Sequence, residues 1–131
     1  MNLLKYIQRQ EIWSKETFGP GIRDAGIVDH IKKELIEIED SPGDLDEWID
    51  VIILALDGAW RNGHSPKKIC VALIEKQIKN EKRKWPDWKT AEPGKAIEHV
   101  KYRCEQCKDT GVLGSITNQN YSKCHCLDRQ D

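Results

Sequence analysis

The sequence predicts an all-α fold, a bundle of four to five helices with a small cysteine-based zinc knuckle as its C-terminal tail. Three observations carry this prediction. Apolar residues recur at helical spacing between marked caps as far as Pro86. No strand-like alternation occurs before residue 100. Residues 102–131 hold four of the five cysteines and too few apolar residues for a core of their own. A chain of 131 residues has the size of one ordinary domain. The expected organisation is therefore one helical domain over 1–101 and a cysteine-rich zinc-binding tail over 102–131.

The first helix is expected over Asn2 to Lys15, ending before Phe18-Gly19-Pro20-Gly21, which a helix cannot cross. The second runs from Asp24 to Asp40 and stops at Ser41-Pro42-Gly43. Asp44 caps the third, which continues to Arg61 and closes at Asn62-Gly63. Ser65 and Pro66 provide the N-cap and first position of the fourth, and Pro86 ends it. Residues 87–95 are polar, contain Pro93-Gly94 and read as a linker, after which a short fifth helix is expected over Lys95 to Lys101.

Composition excludes several classes of function. Charged residues make up 33% of the chain, yet the formal net charge is only −1, a balance that argues against a protein coating nucleic acid. The longest apolar stretch, Val51 to Leu56, is far too short to span a bilayer. Lys5, Gln8, Arg9 and Gln10 interrupt the apolar residues near the start, so no signal peptide is read there. A cytoplasmic protein is expected, and in that reducing compartment the cysteines suit a metal site better than disulfides.

The acidic residues are the most informative. Ile27, Ile31, Leu35 and Ile38 form the apolar face of the second helix, with Glu34 at its edge and His30 and Glu37 on the same flank. Apolar residues cover nearly the whole circumference of the third helix, as in a buried helix, yet Glu47, Asp50 and Asp57 share one of its stripes. Asp50, between Ile49 and Val51, is expected to be the most enclosed acid. Glu34-x-x-Glu37 and Glu47-x-x-Asp50 thus place two acid pairs on consecutive helices joined by a short turn. Buried carboxylates are costly unless a cation compensates them, and four such groups suit Mg²⁺ or Mn²⁺. On the fourth helix Lys76, Asn80 and Arg83 form one stripe at i, i+4 and i+7, the donors a triphosphate requires. Earlier in that stripe Ile69, Ala72 and Leu73 should pack, while Val71, Ile74 and Ile78 suggest a contact between copies.

These spacings together resemble the signature of the MazG-like all-α nucleoside triphosphate pyrophosphohydrolases. Further strings are similar to a phage subgroup, the MazZ-like dATP/dGTP pyrophosphohydrolases: Thr17-Phe-Gly-Pro-Gly-Ile-Arg23, Asp29-His30-Ile31, Glu47-Trp-Ile-Asp-Val-Ile-Ile-Leu-Ala-Leu-Asp-Gly-Ala-Trp-Arg61, Lys79-Asn80, Trp85-Pro-Asp-Trp88 and Ala96-Ile-Glu-His99. The resemblance implies a MazG-like bundle working as a homodimer or homotetramer on a deoxynucleoside triphosphate, which it converts to monophosphate and pyrophosphate in phage nucleotide metabolism, in the host cytoplasm. It implies Glu34, Glu37, Glu47 and Asp50 as catalytic ligands of Mg²⁺ or Mn²⁺; the gap of nine residues between the acid pairs is shorter than in many MazG relatives, which leaves Glu39 and Asp57 as alternative ligands. It implies Lys76, Asn80 and Arg83 as phosphate or sugar contacts. Base selection falls to the first helix and its loop, where Trp13, Phe18 and Arg23 can stack on or bond to a purine.

Cys104-x-x-Cys107 and Cys124-His125-Cys126 offer four thiolates at close to the spacing of a structural Zn²⁺ site. The first pair resembles the knuckle of a zinc ribbon or a chaperone-type cysteine-rich module. The second departs from it, leaving His125 as an alternative to Cys124 or Cys126. Cys70 reads as a packed thiol inside the fourth helix. The rival to an enzyme is a zinc-dependent adaptor that docks nucleic acid or protein through the basic end of the fourth helix and the tail.

Overall fold

The structure, a computed structural model, describes residues 1–101, 104, 106, 107, 112–115 and 120–125. It is mostly helical and divides into two compact units, Met1–Ile78 and Lys79–Asp131. The first unit contains α1 (Leu3–Phe18), α2 (Asp24–Asp40), α3 (Leu45–Arg61) and most of α4 (Pro66–Lys82). The second begins in the last turn of α4 and holds, among the described residues, the 3-10 turn Trp88–Thr90 and a two-stranded antiparallel ribbon of β1 (Val112–Ser115) and β2 (Asn120–Lys123).

Local chemistry accounts for the helix ends. Asn2 Oδ1 accepts from the Lys5 amide at 3.0 Å, Asp44 Oδ1 from the Asp46 amide at 3.0 Å, and Ser65 Oγ from the Lys68 amide at 3.2 Å, each satisfying a donor the first turn leaves open. α1 runs one turn beyond the expected Lys15, so Phe18 belongs to the helix, and Gly19 ends it at φ 81°. Gly21 follows at φ 92°, and this pair of left-handed conformations requires the two glycines of the loop.

α2 and α3 pack against each other most extensively, and α1 packs on α3. Ile7, Ile27 and Trp60 are the buried apolar residues of this unit. Beside them lies a buried polar node. Asp57 Oδ1 accepts from Ser14 Oγ at 2.7 Å, and Asp57 Oδ2 accepts from Arg61 Nε at 3.0 Å. Arg61 Nη2 donates to Ser14 Oγ at 2.8 Å, while Nη1 donates to the carbonyls of Gly19 at 2.8 Å and Gly21 at 3.0 Å. One guanidinium thereby ties α3 to α1 and to the loop that leads into α2. Gln10 Nε2 adds a bond to the Ile53 carbonyl at 2.7 Å.

Three expectations are corrected here. The fifth helix does not form: residues 95–101 are irregular, and the Val100 amide donates at 2.8 Å to the carbonyl of Lys84, a distant partner that replaces the local helical one. α3 is not enclosed all round in a single chain, for Leu45, Trp48, Ile49 and Ile52 are exposed. α4 buries no residue, because Ile69, Ala72 and Leu73 line an open groove with Leu56, Ala59, His64 and Lys68 in place of a closed core. Leu35 and Ile36 of α2 and Val71, Ile74 and Ile78 of α4 are exposed as well, so the unit leaves much apolar surface in contact with water. Among the described residues, no helix is long and apolar enough to cross a membrane.

Candidate active site

Glu34 and Glu37 sit one turn apart on α2, and Glu47 lies in the first turns of α3. The tight connection at Ser41–Asp44, closed by the Asp44 amide donating to the Ser41 carbonyl at 3.1 Å, brings these two stretches together. One carboxylate oxygen from each of Glu34, Glu37 and Glu47 lies within 4.8 Å of the others. Partial burial raises the Glu47 carboxyl above its ordinary value, and the hydrogen-bonding Glu37 carboxyl, its charge, and the charges of Asp44 and Glu34 push it the same way.

Glu34 is the buried member, only 6% exposed. Its Oε1 pairs with His30 Nε2 at 2.7 Å, one turn back on α2. Its Oε2 is buried and has no hydrogen-bond partner among the described residues. An unpartnered buried carboxylate oxygen beside two more carboxylates is a costly arrangement that a divalent cation would relieve. The donor set, all oxygen and all anionic, fits a hard ion such as Mg²⁺ or Mn²⁺.

Asp50 is exposed, contrary to its expected enclosure, because the apolar neighbours that should have covered it are themselves open to solvent. It stands outside the trio of glutamates and lines a cavity of about 300 Å³ together with Glu34. Trp13, Phe18, Arg23, Gly26, Ile27, His30, Ile53, Leu54 and Asp57 complete that cavity. Trp13 and Phe18 meet edge to face with centroids 5.6 Å apart, and the Arg23 guanidinium stands 5.1 Å from the Phe18 centroid. An aromatic wall, a cationic donor and a carboxylate cluster therefore adjoin one hollow.

The two alternative acids behave differently. Glu39 is exposed and lies outside the trio. Asp57 has both oxygens engaged by Ser14 and Arg61, so it serves the fold. The basic set is divided between the units. Lys76 is exposed on α4 in the first, while in the second Arg83 Nη1 donates to Asn80 Oδ1 at 3.0 Å and Trp85 Nε1 to the Asn80 carbonyl at 2.7 Å. Of the zinc-ligand candidates, Cys104, Cys107 and Cys124 converge and Cys126 lies outside the described residues. Sequence reasoning missed the roles of Ser14 and Arg61, although Asp57 and Arg61 at i and i+4 were a signal for an ion pair.

The geometry defines a class first: an all-α bundle whose helical hairpin carries a carboxylate cluster suited to a hard divalent cation. The model of the dATP/dGTP pyrophosphohydrolase family matches residues 6–103, and the chain belongs to this family, which makes it a nucleoside triphosphate diphosphatase. No curated protein and no solved structure matches the chain.

Proposed function

We propose that the chain hydrolyses dATP and dGTP to monophosphate and pyrophosphate with the help of Mg²⁺ or Mn²⁺ held by Glu34, Glu37 and Glu47, with Asp50 as the fourth acid. The observation that carries this reading is the unpartnered Oε2 of Glu34 within the glutamate trio. A divalent ion bound there supplies neutralisation of phosphate charge and a lowered pKa for water. The chain's own residues do the rest. His30 holds Glu34 in place through the 2.7 Å contact to Oε1, leaving Oε2 directed elsewhere. Trp13 and Phe18 offer faces and edges for stacking a base, and Arg23 offers N–H donors. The ring nitrogen N7 is an acceptor common to adenine and guanine and missing from pyrimidines, so a donor aimed at it accepts both purines and no pyrimidine. Lys76, Asn80 and Arg83 are proposed as phosphate or sugar contacts, in keeping with their chemistry.

The exposed apolar side chains of α2, α3 and α4 support a homodimer or homotetramer as the working assembly. Similarity to the phage subgroup supports a role in phage nucleotide metabolism, in the host cytoplasm.

The test is pyrophosphate release measured over the common ribo- and deoxynucleoside triphosphates, with Mg²⁺ or Mn²⁺ and with chelator, alongside light scattering for the mass. Turnover of dATP and dGTP only with metal, reduced by about tenfold or more for their 7-deaza analogues, is expected from the loss of one good hydrogen bond. Metal-independent turnover, or equal turnover of pyrimidine nucleotides, overturns the reading.

A further inference from the structure

The cysteine tail lies beyond the span matched by the family, so nothing about the pyrophosphohydrolase assigns it a role. Its topology is a simple return. Cys104 and Cys107 precede β1, and Cys124 directly follows β2. The antiparallel register pairs Val112 with Lys123, so the residue after β2 comes back to the side where the chain enters β1. The three sulfurs consequently lie within 4.8 Å of one another, and the Sγ atoms of Cys104 and Cys124 stand 3.6 Å apart. Two thiolates bound to one tetrahedral Zn²⁺ at about 2.3 Å are separated by about 3.8 Å, whereas a disulfide would hold them at about 2.05 Å.

What the tail buries points the same way. Cys107 and Cys124 are both buried, Cys124 to 1% exposure, and the ribbon has four residues in each strand. A two-stranded ribbon of that length is marginal in water without a core. Two of its buried side chains are thiols, and a metal ion is the device by which such small units fold.

We propose that Cys104, Cys107 and Cys124 bind one Zn²⁺, with His125 or Cys126 completing the tetrahedron, and that this ion folds the tail. Soft thiolate ligands select zinc over the hard ions that suit the glutamates, so the tail ion is distinct from the one at the carboxylates.

Elemental analysis of the full chain, purified under reducing conditions without chelator, should find about one zinc per chain, as a four-ligand site requires. Cys104→Ser and Cys124→Ser should lose most of it, and Cys70→Ser, altered in α4, should keep it. Between His125→Ala and Cys126→Ser, the variant that loses zinc identifies the fourth ligand. Replacement by Co²⁺ should give the absorption of tetrahedral thiolate coordination, which Cys124→Ser abolishes even if its tail is unfolded. A zinc-free full chain, equal zinc in Cys124→Ser, or a Co²⁺ spectrum without tetrahedral character overturns the proposal.

Discussion

Two of the buried carboxylates, Asp57 on α3 and Glu34 on α2, are treated in opposite ways. Asp57, near the end of α3, has one oxygen bonded by Ser14 and the other by Arg61, so each of its oxygens has a buried partner. Glu34, on α2, has one oxygen held by His30 and the other buried with no partner among the described residues, and beside it burial and the Glu37 carboxyl raise that of Glu47 above its ordinary value. A carboxylate supplied with an internal cation builds the fold. A set of carboxylates left without one stores electrostatic energy that an external cation releases. The contrast separates an acid that holds the chain together from the acids proposed to hold a metal, and it yields three tests.

The largest effect should come from Glu34→Gln. This keeps the shape and the acceptor for His30 but removes the charge beside the orphaned oxygen. Pyrophosphate release should fall by about two to three orders of magnitude, the scale of losing one preorganised stabilising group. The metal-free variant should melt no lower than the parent, and added Mg²⁺ or Mn²⁺ should raise its melting temperature much less. Near-parental turnover would place Glu34 among the structural acids and break the contrast.

Arg61→Met should do the reverse. Asp57 is then buried without its cation, and the carbonyls of Gly19 and Gly21 lose their donor, so urea unfolding should show a loss of about 3–5 kcal/mol. Because the same guanidinium anchors the loop between Phe18 and Arg23, residual folded enzyme should show a raised KM for dGTP. A loss below about 1 kcal/mol would mean that the node resembles an exposed pair.

The smallest effect concerns pH. The carboxyl of Glu47 is raised in the folded chain, so the folded state holds its proton more tightly than the unfolded state does. In the absence of metal that contribution is fully present below the ordinary value of 4.5 and is lost as pH rises through the raised one. Thermal melts of the metal-free protein should therefore show a downward slope in that window, weaker in Glu47→Gln. An unchanged slope in the variant would remove Glu47 from the repelling set.

Much of this was legible in the sequence where the physics is local. Asp44 and Ser65 mark helix starts because a cap acts on the next turn, and Glu34, Glu37 and Glu47 could be grouped because a short connection forces the two helices together. The Ser14–Asp57 bond joins residues 43 apart, and nothing in either neighbourhood announces it. Periodicity also misjudged Asp50. An apolar circumference shows that a helix will be covered, but not whether the cover comes from its own chain. The short helix expected over Lys95 to Lys101 failed for a similar reason, since the Val100 amide takes Lys84 as its acceptor.

The edge-to-face pair of Trp13 and Phe18 has an optical consequence. Trp13 is 55% exposed in the wall of the cavity, whereas Trp60 is buried near the cations of Lys15 and Arg61. On the proposed reading, a purine seated in that cavity would exchange water for an aromatic plane around Trp13 and leave the buried Trp60 undisturbed. The Trp13 share of the intrinsic emission of the chain's five tryptophans would then be an occupancy signal, readable in a variant that turns nothing over and isolated by replacing Trp13.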